Sequence, residues 1–304
     1  MRATSSLAQD DDRHNNMVKL LIACLRVCAK LPLPWVRLLG AALGGVLWVF
    51  ARSRRHIVRV NLQKTMPELS AVQRDALAYR HFVAFGQSVM DRSWLWHAPE
   101  PLVRQRLRWV GDLSFLTAPG PLLMFAPHFV GLDAGGLAVS LDVPGPVAFI
   151  FVGQSRPEVE AWVRQGRERS GNVRPYFRRQ GMRQILSGIK KGEPLHLSPD
   201  MDFGPSESIF VPFMGVEKAA TLSSLSRLSK ASGARVVPVV TRMTAQGYDI
   251  EVHAPLLDFP SDDPEQDTLR TNQLLADWVS TMPEQYYWVH KRFKTRPEGE
   301  PGFY

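Results

Sequence analysis

His128 and Asp133 stand five positions apart in the segment APHFVGLDAGG. An imidazole with a carboxylate in reach can move a proton. An alcohol is a poor nucleophile at neutral pH, and an imidazole can accept its proton as attack begins. A carboxylate on the other ring nitrogen fixes the tautomer and stabilises the imidazolium that forms. The pair therefore suggests activation of a hydroxyl, with His128 as general base and Asp133 as its acidic partner. No G-x-S-x-G nucleophile elbow occurs in the chain. Direct attack without a covalent enzyme intermediate is the simpler scheme.

The spacing alone carries little. With eight histidines in the chain, about one such pair is expected by chance. His253 and Asp258 also form one. Context separates them. His128 follows the apolar run LLMFA and precedes Gly131 and Gly135-Gly136. That places it at the carboxyl end of a buried strand, where α/β sheets build their sites. His253 ends the alternating stretch YDIEVH and is followed by Pro255, which reads as an ordinary strand end.

The elements needed to position His128 are legible as an alternation. Residues 71–98 carry an apolar helical stripe through Leu77, Phe82, Phe85, Val89 and Trp94. Ser70 is a candidate N-cap, without an acidic residue three positions on. Strands are expected at Leu122–Ala126, Val147–Val152, Leu195–Ser198, Val236–Val240 and Tyr248–His253. Helices are expected at Val159–Arg169, Met182–Lys190, Ala219–Ala231 and Leu269–Met282. This order predicts an α/β domain from about residue 105 onward, with a central, mostly parallel or mixed sheet flanked by helices.

Composition narrows the partners. Of 304 residues, 45% are apolar, which excludes a disordered chain. The net charge of +8 favours an anionic partner. No basic run interleaved with aromatics, zinc-finger spacing or RNA-binding signature occurs, so nucleic acid is not expected. Residues 1–16 read as a loose polar tail whose start argues against a secretory signal. Residues 17–60 read as a membrane-associated helical segment. Lys19, Arg26, Lys30 and Arg37 share a helical face, and Pro32 and Pro34 interrupt it. The apolar run Leu38–Ala51 has fourteen residues, short of the ~20 that span a bilayer. Arg52, Arg54, Arg55 and Arg59 follow. This pattern fits a helix lying in the interface against anionic lipid. A spanning helix with snorkelling flanks and a buried soluble helix are the alternatives. Cys24 and Cys28 read as small apolar side chains.

Three blocks carry a family resemblance: APHFVGLD, SPDMDFGPSESIFVPFMGVEKAAT over 198–221, and PEQYYWVHKRFKTRPEG over 283–299. From Met17 to Tyr304 the chain resembles the late acyltransferases of lipid A biosynthesis, the lauroyl and myristoyl transferases of Gram-negative bacteria. These belong to the lysophospholipid acyltransferase-like superfamily, whose signature is H-x4-D/E. The resemblance implies a glycerolipid acyltransferase-like α/β domain over 61–304, with His128, Asp133 and Arg167 catalytic. Arg164, Arg169, Asp200, Asp202 and Gly204 would bind substrate. Met201 and Phe203 stand where relatives often have His and Tyr, and each change removes a polar group. Trp288, His290, Arg292, Phe293 and Lys294 read as a packed and solvated C-terminal helix, with His290 structural.

The implied donor is acyl carrier protein. The implied acceptor is a hydroxyl of a lipid A precursor such as Kdo2-lipid IVA, a phosphorylated disaccharide, at the cytoplasmic face of the inner membrane. No metal or cofactor is implied. Other acceptors, such as a glycerophospholipid, and a non-catalytic lipid-binding role remain as alternatives. The intact His128 and Asp133 argue against the last.

Overall fold

Leu122–Phe125 (β2) is buried at every position, which marks it as an inner strand rather than an edge. The computed structural model of the protein describes residues 19–151, 153, 156–177 and 181–304. The tail expected over 1–16 lies outside them. The other strands of the main sheet are β1 (Leu107–Gly111), β3 (Val147–Phe151), β4 (Val173–Phe177), β5 (Leu195–Leu197), β8 (Arg235–Thr244) and β9 (Gly247–Val252). Their spatial order is β1-β9-β8-β2-β5-β3-β4. β8, β2, β5, β3 and β4 run parallel, and β9 turns back antiparallel on β8. A mixed sheet flanked by helices is what the alternation predicted. Side chains of β2 alternate between two cores. Leu123 and Phe125 enter one, and Leu122 and Met124 the other.

Besides a helical stretch at residues 19–28, the helices that accompany the strands are α1 (Leu33–Phe50), α2 (Arg52–Thr65), α3 (Ala71–His97), α4 (Glu100–Arg106), α5 (Ser114–Thr117), α6 (Leu132–Asp142), α7 (Pro157–Arg167), α8 (Met182–Lys190), α9 (Ser224–Ser232) and α10 (Pro264–Thr281). Ser70 does cap α3. Its hydroxyl accepts from the Gln73 backbone N–H, while the Gln73 side chain accepts from the Ser70 N–H. Gln73 supplies the reciprocal half of a capping box.

Three sequence expectations give way here. The helix expected over Ala219–Ala231 begins only at Ser224, because 216–222 form β7 (Val216–Leu222), paired antiparallel with β6 (Ser208–Phe213). The C-terminal segment is not a solvated helix. Trp288 and Phe293 are fully buried and Arg292 nearly so. These side chains meet different partners, so turns serve where a helix would bury only one face. The boundary expected after residue 60 falls inside α2, whose Val58 and Leu62 share a core with Leu123.

Residues 19–28 are helical, and the chain turns before α1. Arg37 is thus on a different helix from Lys19 and Arg26, and it points inward. Its Nε donates to the buried Asp91 on α3 at 2.9 Å, and its Nη2 to the Gly247 carbonyl. α1 packs on α3 through glycines. A Cβ at Gly86 would lie 2.3 Å from the Gly40 carbonyl oxygen and 2.5 Å from the Gly44 nitrogen. The opposite face of α1 leaves Trp35, Leu38, Leu39, Val46, Val49 and Phe50 exposed. α1 is long and apolar enough to cross a membrane by length and composition. Three arginines of the following cluster are engaged internally. Arg54 donates to the Val289 carbonyl, Arg55 stacks on Trp48, and Arg59 pairs with Asp75.

Candidate active site

β2 and β5 are parallel neighbours with Phe125 opposite Leu197. His128 lies three residues beyond Phe125, and Asp200 three beyond Leu197. Two loops leaving one sheet edge in register therefore bring these side chains together. The His128 ring Nδ1 lies 2.8 Å from Asp200 Oδ1, and the His128 backbone N–H donates to Asp200 Oδ2 at 3.0 Å. One carboxylate holds both the ring and the main chain of the same residue. The Asp200 side chain is 2% exposed and the His128 ring 23%. Burial raises the cost of the Asp200 charge. The nearby His128 and its hydrogen bonds, with Arg292, outweigh that and hold the carboxyl below its usual range. Nε2 of His128 has no protein partner among the described residues.

The C-terminal block holds this loop in place. The Tyr287 N–H donates to the His128 carbonyl and the Val130 N–H to the Gln285 carbonyl. Phe129 bridges Tyr286. The Tyr287 ring lies 6.2 Å from that of His128. Arg292 donates to the Ala220 carbonyl and to Thr221 Oγ1, so it ties the block to β7 beneath the site. His290 sits close by. Burial, with the charges of His128 and Arg292, lowers it to about 4, so it is neutral and accepts from the Asp202 N–H through Nε2.

Asp133 is not the partner of His128 in this geometry. It lies in the first turn of α6, where a carboxylate suits the helix N-terminus. Its two oxygens accept from Arg92 Nε at 2.8 Å and Arg167 Nε at 2.9 Å. Burial opposes its charge, but Arg167 and Arg92 hold it far below the usual carboxylate range. The expected dyad is thus replaced by His128 with Asp200, and by Asp133 with two arginines. A five-residue step into a helix turns the carboxylate toward the neighbouring helices α3 and α7. Gly166 makes this possible. A Cβ there would lie 2.2 Å from the Trp96 ring, so only glycine lets α7 approach α3 closely enough for Arg167 to reach Asp133. Arg92 had no local signal in the sequence. It is one of several arginines on a long helix.

The remaining sequence candidates divide. Arg169 donates through both terminal nitrogens to the Leu95 and Ala98 carbonyls, so it caps the end of α3 instead of facing a substrate. Arg164 is exposed and lines an open groove of about 570 Å³ with Lys19, Arg26 and Trp162, apart from His128. Asp202 is buried and accepts from the Thr295 N–H and hydroxyl and from the Gly204 N–H. Both Asp202 and Gly204, whose φ is +103°, build the turn that aims Asp200. His253 packs on Trp278 and plays no part. His196 on β5 is buried, and burial, then His128 and Arg167, lower it to about 3. It is therefore neutral, and its ring packs on Phe149.

A carboxylate-held imidazole at the rim of a sheet can take a proton from a hydroxyl and return it. The sequence profile described as bacterial lipid A biosynthesis acyltransferase matches residues 12–295. The chain belongs to this family. The acyltransferase is 31% identical to the lipid A biosynthesis lauroyltransferase of Escherichia coli strain K12, over 93% of each chain. It is 30% identical to the palmitoleoyltransferase of the same strain, over 93% of its own length and 92% of the relative's. With that strain's myristoyltransferase the identity is 28%, over 86% and 81%. The crystal structure of a 1-acyl-sn-glycerophosphate acyltransferase from Thermotoga maritima aligns with 88% of this chain and 99% of its own, at 12% identity and a TM-score of 0.37.

Proposed function

We propose that this lipid A acyltransferase moves a fatty acyl chain from acyl carrier protein to a hydroxyl of a lipid A precursor resembling Kdo2-lipid IVA. The observation that carries this reading is the His128 ring, tied at Nδ1 to buried Asp200 and partly open to solvent. With Nδ1 protonated toward Asp200, Nε2 accepts the proton of the acceptor hydroxyl. The hydroxyl oxygen attacks the donor's thioester carbonyl. The addition forms a tetrahedral oxyanion. Its collapse breaks the carbon–sulfur bond, and the imidazolium returns the proton to the leaving thiolate. The products are a new ester and a free thiol, with no covalent enzyme intermediate.

The exposed apolar face of α1 supports an interfacial location, where both the acceptor and the chain tip are accessible. The cytoplasmic face of the inner membrane is the compartment consistent with acyl carrier protein. The test is acyl transfer by purified protein from acyl carrier protein to the bisphosphorylated precursor, read by mass spectrometry. One added acyl chain, lost in His128→Ala, is expected. Acylation of a glycerophospholipid with the precursor untouched would rule out the acceptor. Full activity in His128→Ala would rule out the mechanism.

A further inference from the structure

Arg92 and Arg167 differ from three other buried or half-buried arginines of the chain. Arg37, Arg169 and Arg292 direct their terminal nitrogens at protein carbonyls or a hydroxyl. Arg92 and Arg167 bond the protein through Nε alone, both to Asp133. Their side chains stay 28% and 30% exposed, and their Nη groups have no acceptor among the described residues. Each guanidinium lies over an aromatic ring, Arg92 over Trp96 at 5.3 Å and Arg167 over Phe151 at 5.2 Å, which limits its rotation. Two cations around one carboxylate leave one excess positive charge. Oriented, paired guanidinium edges match the oxygens of a phosphate. Asp133, which both arginines hold, lies five residues beyond His128 in the first turn of α6.

We infer that Arg92 and Arg167, aligned by Asp133, form a phosphate-binding cradle, and that Arg92 is the residue through which the enzyme recognises a phosphate ester of its substrate. The inference rests on the acyl-transfer reading of the site for the identity of that substrate. Two sources share the chemistry: a sugar phosphate of the acceptor, and the phosphodiester of the donor's pantetheine arm. In either case the contact would hold one substrate by a group remote from the bond that changes.

The test uses the full-length protein in detergent and the variant Arg92→Gln, with Arg92→Lys as the conservative partner and a thermal melt as the folding check. Binding of the bisphosphorylated and the dephosphorylated disaccharide lipid is measured without donor. KM is measured for acyl carrier protein and for an acyl-pantetheine that lacks the phosphate. A roughly 10- to 100-fold loss in Arg92→Gln is expected, confined to the phosphorylated member of one of the two pairs, with partial retention in Arg92→Lys. The affected pair names the source. A loss equal on phosphorylated and dephosphorylated forms, or no loss on any of the four, overturns the inference. Because the lipid-binding measurement needs no turnover, Arg92-dependent phosphate binding by a protein that transfers no acyl group would refute the functional reading alone.

Discussion

Asp200→Asn separates the two carboxylates near the active site. Asp200 meets His128 twice, with Oδ1 at ring Nδ1 and Oδ2 at the backbone N–H. An asparagine can serve the backbone N–H only with its oxygen. Its NH2 then faces Nδ1, which must become an acceptor, and the ring proton moves to Nε2. A histidine protonated at Nε2 cannot take the acceptor's proton. Asp200 is 2% exposed, so water cannot substitute for the lost acceptor. Tautomer loss of this kind costs about 10³–10⁴ in kcat, or roughly 4–5.5 kcal/mol of barrier. The assay is single-turnover acyl transfer at saturating acceptor, with circular dichroism confirming the fold. Asp133→Asn is the comparison, because Asp133 touches the arginines and not the imidazole. If Asp200→Asn stays within about 10-fold of the parent while Asp133→Asn loses 10³ or more, then Asp133 partners His128 in the working enzyme.

Asp133→Asn is expected to cost about 2 kcal/mol of stability, because two partly buried guanidiniums lose a charged acceptor; an unchanged calorimetric melt would contradict the clamp. Gly86→Ala should cost about 1–3 kcal/mol by overpacking, since its Cβ would meet the α1 backbone at 2.3 Å. Limited proteolysis should then release α1, and protection equal to the parent would count against the close packing. Acid should destabilise the protein through its buried histidines. Burial lowers His81 from 6.5 to about 4, with a smaller opposing contribution from the Glu284 carbonyl. A depressed folded-state value means that this contribution is full above about pH 6.5, erodes as pH falls, and is lost near pH 4. It amounts to about 3 kcal/mol. His196 and His290 act in the same sense. Urea melts between pH 4 and 7 should show a steep loss, reduced in slope by His81→Phe. The same slope in that variant would exclude His81 as a source.

The sequence by itself placed His128. A short apolar run that ends in a histidine and is followed by glycines is a local pattern, and local burial is enough to make a strand whose end faces a site. The same holds for the helix 71–98, for most strands, and for the apolar segment before residue 51. The antiparallel partner of 216–222 was not readable, because AATLSSLSRLSK continues the helical period across a strand boundary that only β6 imposes. The partner of His128 was not readable either. Asp133 and Asp200 were both visible as candidates, and proximity along the chain favoured the first. The choice depends on β5 lying beside β2 in parallel register, and no property of either segment alone encodes that adjacency. Tertiary structure then turned Asp133 toward Arg92 and Arg167, through the space that Gly166 leaves beside Trp96. Chain neighbours supplied the acid and base types. Sheet order and helix contact decided which charge meets which.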